Sequence, residues 1–309
     1  MPEVSEKMPK ILNFGSMNLD YVYSVDHFVR EGETVPSSDL QIFCGGKGLN
    51  QSIALARAGA KVYHAGFVGE NDGEPLLEKL EKSGVNTELI EKRSVPSGHA
   101  IIQVDASGQN CILLHGGANQ TNSEDDIKRA LSGFGKGDYL LLQNEINLGG
   151  KIIEEAKKRE MTVILNPSPI DEKIFEFPLG LVDFLILNEV EAAVLCKLEL
   201  TCSSEQLTNA LPLRFSNLDI VLTLGSRGAC YIEKGAKNIV MQETFPVEAI
   251  DTTAAGDTFT GYFFAGIMSG SLPVSALKTA SAAAALAVSK KGAAASIPAL
   301  EEVKAFLTF

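Results

Sequence analysis

Six short apolar runs, ILNFG (11–15), VYHAGFVG (62–69), YLLLQ (139–143), TVILN (162–166), FLILN (184–188) and DIVLTLG (219–225), punctuate the chain. Each reads as a strand buried on both faces. Helical patterns follow most of them, at 48–58, 74–83, 152–159, 189–195 and 258–268, and an alanine-rich helix is predicted over 276–288. Strand–helix alternation of this kind specifies an α/β fold with a mostly parallel sheet and helices on both faces. Ligands in such sheets bind beyond the carboxyl ends of the strands. The polar clusters of interest fall at those ends.

Two stretches break the rhythm. Residues 17–44 alternate loosely around an EGET turn, and 97–119 read as a hairpin, with AIIQV and CILLH flanking Asp105-Ala106-Ser107-Gly108. Both are expected to pair outside the main sheet as a small β-lid over its active edge. The expected division is therefore 1–16, 45–96 and 120–309 as the core, with 17–44 and 97–119 as the lid.

Bulk properties narrow the function. A length of 309 residues suits one large α/β domain with a small appendage. No run of 18 or more apolar residues occurs, so no membrane helix is expected. The opening MPEVSEKMPK lacks the apolar stretch of a signal peptide and reads as a loose polar tail, which predicts a cytoplasmic protein. Five cysteines without CxxC spacing read as free thiols, and four dispersed histidines offer no zinc constellation. A net charge of −12 argues against nucleic acid or an anionic membrane as partner. Any phosphate handled here must be held by a local device, such as a helix N-terminus.

The segment Ile250-Asp251-Thr252-Thr253-Ala254-Ala255-Gly256-Asp257-Thr258-Phe259 supplies such a device. Small side chains at Ala254, Ala255 and Gly256 let backbone N–H groups approach an anion where a helix begins. Asp257 then stands in the first turn beside the anion. A helix cap is the plain alternative for a lone aspartate. A cap needs no run of small residues, however, and phosphoryl transfer needs positioning more than a strong base.

A second device is Gly45-Gly46-Lys47-Gly48-Leu49-Asn50-Gln51, where glycines place backbone beside the Asn50 amide in a way that suits a polyol. It is no Walker A loop, since GxxxxGK[ST] is absent, and no strand–GxGxxG–helix fingerprint of dinucleotide enzymes occurs either. Asn18 and Asp20 follow the first strand, Glu145 the third, and Asn188 and Glu191 the fifth. Singly each could be a cap or turn residue. The turn TLGSRG (Thr223, Leu224, Gly225, Ser226, Arg227, Gly228) offers a place for a nucleotide.

These residues resemble the phosphofructokinase B family of carbohydrate kinases, in its ribokinase-like branch. GGKGLNQSIALARAGA (45–60) matches the amino-terminal signature and IDTTAAGDTFTGYFFAGI (250–267) the more specific carboxy-terminal one; the likeness runs from about Ile11 to Phe306. The resemblance implies a Rossmann-like three-layer sandwich with a β-sheet lid that packs between the subunits of a homodimer. It implies Asp257 as catalytic base and Ala254, Ala255 and Gly256 as anion hole. Asn18, Asp20, Gly46, Lys47, Asn50, Glu145 and Asp251 would bind the sugar. Asn188 and Glu191 would act on the Mg²⁺–phosphate assembly, and Thr223–Gly228 would bind ATP. Asp251, Thr253, Ala287, Lys290, Gly292 and Ser296 would form a potassium site. Family members often place histidine or asparagine near adenine where this chain has Ser281, which leaves base recognition open. GSMNLD (15–20) and HGGAN (115–119) favour D-ribose as substrate, phosphorylated at its 5-hydroxyl. 2-Deoxyribose, a hexose derivative and adenosine stay open as alternatives. A catalytically dead binding protein is disfavoured because Asp257 is retained beside its Ala-Ala-Gly turn.

Overall fold

The computed structural model describes residues 9–235 and 239–308; positions 1–8 of the polar opening segment lie outside the described residues. In chain order the strands are β1 (Lys10–Phe14), β2 (Asn18–Ser24), β3 (Asp39–Gly45), β4 (Lys61–Gly69), β5 (Asn86–Arg93), β6 (Gly98–Val104), β7 (Asn110–His115), β8 (Tyr139–Gln143), β9 (Thr162–Asn166), β10 (Phe184–Asn188), β11 (Asp219–Thr223), β12 (Ala229–Ile232) and β13 (Ile239–Gln242). The helices are α1 (Lys47–Arg57), α2 (Glu74–Lys82), α3 (Glu124–Leu131), α4 (Gly149–Lys158), α5 (Glu189–Cys196), α6 (Ser204–Arg214), α7 (Ala255–Met268), α8 (Pro273–Val288), α9 (Ala293–Ser296) and α10 (Leu300–Thr308).

Nine strands form one sheet in the order β13-β12-β11-β10-β9-β8-β1-β4-β5. All neighbours are parallel except the β11–β12 and β12–β13 pairs. Alternate side chains of each strand feed two separate cores. Ile11, Val62, Leu141, Ile164 and Ile186 pack under α1, α7 and α8, while Leu12, Leu140, Leu142, Leu165 and Leu187 pack under α3–α6. Burial on both faces is why these strands carry unbroken apolar runs.

Two helices begin earlier than their apolar periodicity suggests. α4 starts at Gly149 and α7 at Ala255, because Leu148 and Ala254 adopt left-handed geometry (φ 60° each) and turn the chain directly into the helix. In α7 this puts Gly256 in the first turn together with Asp257.

The second sheet has four strands in the order β3-β2-β6-β7. β2 pairs antiparallel with β3 and parallel with β6, and β6 pairs antiparallel with β7. Its register puts Leu40, Ile42, Ile101 and Leu113 on one face with Tyr21, and Asp20 on the other. Leu113 is 68% exposed and Ile42 56% exposed.

Candidate active site

A cleft of about 410 Å³ opens at the carboxyl edge of the sheet. Asn166, Ser168, Asn188 and Thr223 line it from β9–β11 and the residues just beyond them. Ala254, Ala255, Gly256 and Asp257 line it from the start of α7, and Ser281 and Ala284 from α8. Lys47 and Glu191 reach the same space.

The start of α7 presents free backbone donors to the cleft. The Ala255 N–H donates to the Thr252 carbonyl (3.2 Å). Those of Gly256 and Asp257 have no acceptor among the described residues, as expected for the first turn of a helix. The Asp257 side chain, 8% exposed, is not a cap. Instead Oδ2 accepts from Asn50 Nδ2 (3.0 Å) and Oδ1 from Gln51 Nε2 (2.9 Å). Asn50 Oδ1 is buried and has no partner among the described residues.

Lys47 opens α1, behind Gly46, whose φ of 91° favours glycine. Burial works against the Lys47 charge, but Asp257, Glu145 and Glu191 together outweigh it and raise the pKa above its ordinary value. Glu145 is held by the Ser16 hydroxyl and by the Lys47 backbone N–H (3.0 Å). Its own pKa is pushed up by burial, partly offset by those hydrogen bonds and by the Lys47 charge. Asp20 is raised to about 7, first by burial and then by the nearby Glu145 charge. It lies against Gly45, where a Cβ would come within 2.0 Å of Asp20 Oδ2. Asn18 Oδ1 accepts from Asn119 Nδ2 (2.8 Å), which ties β2 to the segment after β7.

The other predicted residues separate into three groups. Asn188 and Glu191 form a reciprocal cap at the start of α5: Glu191 N–H donates to Asn188 Oδ1 (3.0 Å) and Asn188 N–H to Glu191 Oε2 (2.9 Å). Both still line the cleft. Of the TLGSRG turn, Thr223, Gly225 and Gly228 line it, whereas the Leu224 side chain is buried in the core and Arg227 pairs with Glu189. Asp251 stands away from the cleft lining, where its two oxygens accept from the Thr253 and Gly292 N–H groups (2.9 Å each). Those bonds hold its pKa low against the effect of burial. Ile250 and Asp251 also donate to the Val288 carbonyl, so the segment before α7 and the 287–292 loop are one unit. Lys290 is turned outward onto Glu302 (2.7 Å), which keeps its ammonium out of that loop. Ser296 is buried and donates to Ala293 O (2.9 Å).

Sequence reasoning assigned no role to Gln51 or Asn166. Gln51 adjoins Asn50 in the same motif, and Asn166 ends an apolar run as Asn188 does, so a signal of position existed for both.

Free backbone donors beside a buried carboxylate suit transfer of a phosphoryl group to an alcohol, which places the chain among small-molecule phosphotransferases. Its sequence matches the pfkB family carbohydrate kinase profile over residues 8–300, and the chain belongs to that family. It is 37% identical to a ribokinase of Haemophilus influenzae, over 95% of this chain and 96% of that one. A deoxyribokinase of Salmonella typhi is 33% identical over 95% of this chain and 97% of its own. Among solved structures, the Arabidopsis thaliana ribokinase complexed with ribose and ATP superposes with a TM-score of 0.87 at 30% identity, covering 98% of this chain and 100% of that chain. The mostly parallel sheet with a small second sheet is thus a ribokinase-like fold.

Proposed function

We propose that the protein transfers the γ-phosphate of ATP to the 5-hydroxyl of D-ribose, giving ribose 5-phosphate. The observation that carries this reading is Asp257: a buried carboxylate in the first turn of α7, gripped by two amides and set beside the unpaired Gly256 and Asp257 N–H groups. Asp257 takes the proton of the attacking hydroxyl, and the helix start receives the transferring phosphate. Ala254 and Ala255 keep the turn open by their small size.

ATP lies along Thr223–Gly228, with Asn188 near its phosphates and Ser281 at the far wall. Support comes from Ser281, which lines the cleft and whose buried Oγ has no partner among the described residues. Lys47 balances the charge of the incoming phosphates, since its own pKa keeps it protonated. Among the described residues, no group of three or more His, Cys, Asp or Glu side chains could hold a metal unaided. Magnesium typically binds through one or two carboxylates plus substrate phosphates, and Glu191, with Asn188, fits that use. Potassium would sit among Asp251, Thr253, Ala287, Lys290, Gly292 and Ser296, where the Gly292 N–H ties the loop to Asp251 and the Lys290 ammonium is turned away onto Glu302.

The sugar lies between Asn18, Asp20, Gly46, Lys47, Asn50, Glu145 and Asp257, covered by the small sheet, with Asp251 at the turn leading into α7. The exposed apolar face of that sheet favours a homodimer through the lid. The dispersed free cysteines fit a reducing cytoplasm. Among the described residues no helix is long and apolar enough to cross a membrane.

Deoxyribose is the second reading, favoured by the deoxyribokinase likeness. A coupled assay of ADP release with ribose, 2-deoxyribose, fructose and adenosine separates the two. A sugar lacking the 2-hydroxyl leaves buried polar groups unpaired at about 1–3 kcal/mol, so ribose should win by roughly tenfold or more in kcat/KM. Equal or better turnover of 2-deoxyribose would replace ribose as the assigned substrate.

A further inference from the structure

Beneath α1, on the sheet face that is otherwise apolar, four adjacent strands turn polar near their carboxyl ends, in a row that steps by two residues between β1 and β8, where Asn13 is level with Leu141. Two residues after Ile164, Leu141, Ile11 and Val62 come Asn166 (β9), Gln143 (β8), Asn13 (β1) and His64 (β4). All four are buried, and the register aligns Gln143 with Asn166 and Asn13 with His64. Gln51, fully buried on α1, joins this row to Asp257.

The hydrogen bonds leave the Gln51 amide only one orientation. Its Nε2 donates to Asp257 Oδ1 (2.9 Å) and to Asn166 Oδ1 (3.0 Å), and its Oε1 accepts from Gln143 Nε2 (2.7 Å). Gln143 is itself fixed by donating to Asn13 Oδ1 (3.0 Å), and Asn13 by donating to Gly48 O and Ser52 Oγ (2.7 and 2.8 Å). Asn166 is fixed by donating to the Ile186 carbonyl (3.0 Å). A flipped Gln51 would put Nε2 against the Gln143 donor and Oε1 against Asp257, losing every bond. Six buried polar groups in an apolar layer stabilise no better than packed hydrophobic side chains would, so stability alone does not account for them.

We infer that Gln51 is a positioning residue for phosphoryl transfer, one that locks the plane of the Asp257 carboxylate through a frame anchored on β1, β8 and β9. The inference rests on the kinase reading above. Asn50 holds the other oxygen, and in the kinase reading the same side chain also binds the sugar, so its grip is shared with the substrate. Gln51 makes no such double use. With Gln51 gone, the carboxylate is free to rotate about its remaining bond to Asn50, and the base is no longer aimed at the hydroxyl. Misplacement on the scale of an ångström costs about 10²-fold in rate.

The test is a double-mutant cycle on the whole protein. Gln51→Met removes the donor at nearly constant length. It should lower kcat roughly 10- to 100-fold while the KM values for sugar and ATP stay within about threefold. In an Asp257→Asn background the same change should cost less than about threefold, because the two residues act as a unit. A Q51M enzyme with kcat near wild type, or one whose loss is repeated in full on Asp257→Asn, overturns the inference. If Q51M does not fold, Gln51→Glu, which keeps the acceptor for Gln143, is carried through the same cycle with the same two outcomes. A wild-type protein that phosphorylates no sugar sinks the kinase reading and the inference together. An active wild type with an unimpaired Q51M sinks the inference alone.

Discussion

Lowering the pH through neutrality should weaken sugar binding, and Asp20 should be the group responsible. Burial, reinforced by the Glu145 charge, lifts its pKa to about 7. A sugar hydroxyl that donates to Asp20 needs the ionised carboxylate as acceptor. The apparent Kd then scales as one plus the ratio of protonated to ionised Asp20, a factor of ~11 at pH 6 and ~1.1 at pH 8. Binding should therefore be about tenfold weaker at pH 6 than at pH 8, close to 1.4 kcal/mol. Lys47, its pKa raised, stays charged across this window and adds no slope of its own. The sign for the stability of the sugar-free fold is the opposite. Asp20 holds its proton more tightly folded than unfolded, so its contribution is full below pH ~4 and is lost as pH rises through the folded value. Sugar should accordingly protect the fold more at pH 8 than at pH 6. Calorimetric titration with ribose at pH 6, 7 and 8, in buffers of different ionisation enthalpy, reads both the affinity and the proton released. Asp20→Asn should bind more weakly and lose the slope. A Kd constant within twofold across this range, or a slope that survives Asp20→Asn, refutes the reasoning.

Asp257→Asn should lower kcat by about 10²–10⁴ with the KM for ATP little changed. The pocket accommodates it, because Asn50 can turn its unpaired Oδ1 toward the new amide; activity within threefold of wild type would reduce Asp257 to a helix-start residue. Replacing potassium with sodium should depress activity, since the Asp251–Gly292 bond couples the proposed ion loop to the turn before α7. Indifference to every monovalent cation would remove that site. Light scattering at micromolar concentration should give twice the 33.0 kDa chain mass, and Leu113→Asp should reduce it. A monomer mass for the unaltered chain would refute pairing through the lid.

The buried parallel strands were legible because burial on both faces writes itself as an apolar run: β1, β4 and β8–β11 all coincide with one. β5, with the sequence NTELIEKR, escapes that rule, since it is the sheet's last strand and most of its residues are only half-buried. β12 and β13 return antiparallel after a tight turn, and nothing in a strand–helix rhythm announces that. At the site, the small-residue run before Asp257 was readable as a place for an anion. The polar row was not. Gln143 and Asn166 each end an apolar run, where an amide reads as a turn former, and Asn13 is a lone polar residue inside one. That they meet in one buried network depends on strand register, which is a property of the pairing and not of any one segment. Asn188 and Glu191 show a further limit: the same pair makes a helix cap and lines the cleft, so the two readings of their spacing were never exclusive.

The wiring of the small sheet also sets the order in which the molecule can assemble. Its central pairing joins β2 to β6 in parallel, and β4, α2 and β5 lie between them in the chain. Neither strand can find the other until that intervening layer has docked on β1, because closing so long a loop earlier costs entropy that no local contact returns. The lid therefore forms after β4, α2 and β5 have docked. Until it does, Ile42, Ile101 and Leu113 are carried on unpaired strand edges, the condition under which chains associate wrongly. Slower synthesis or a lower growth temperature should raise the yield of correctly folded protein, by giving the core time to bring the two halves of the lid together.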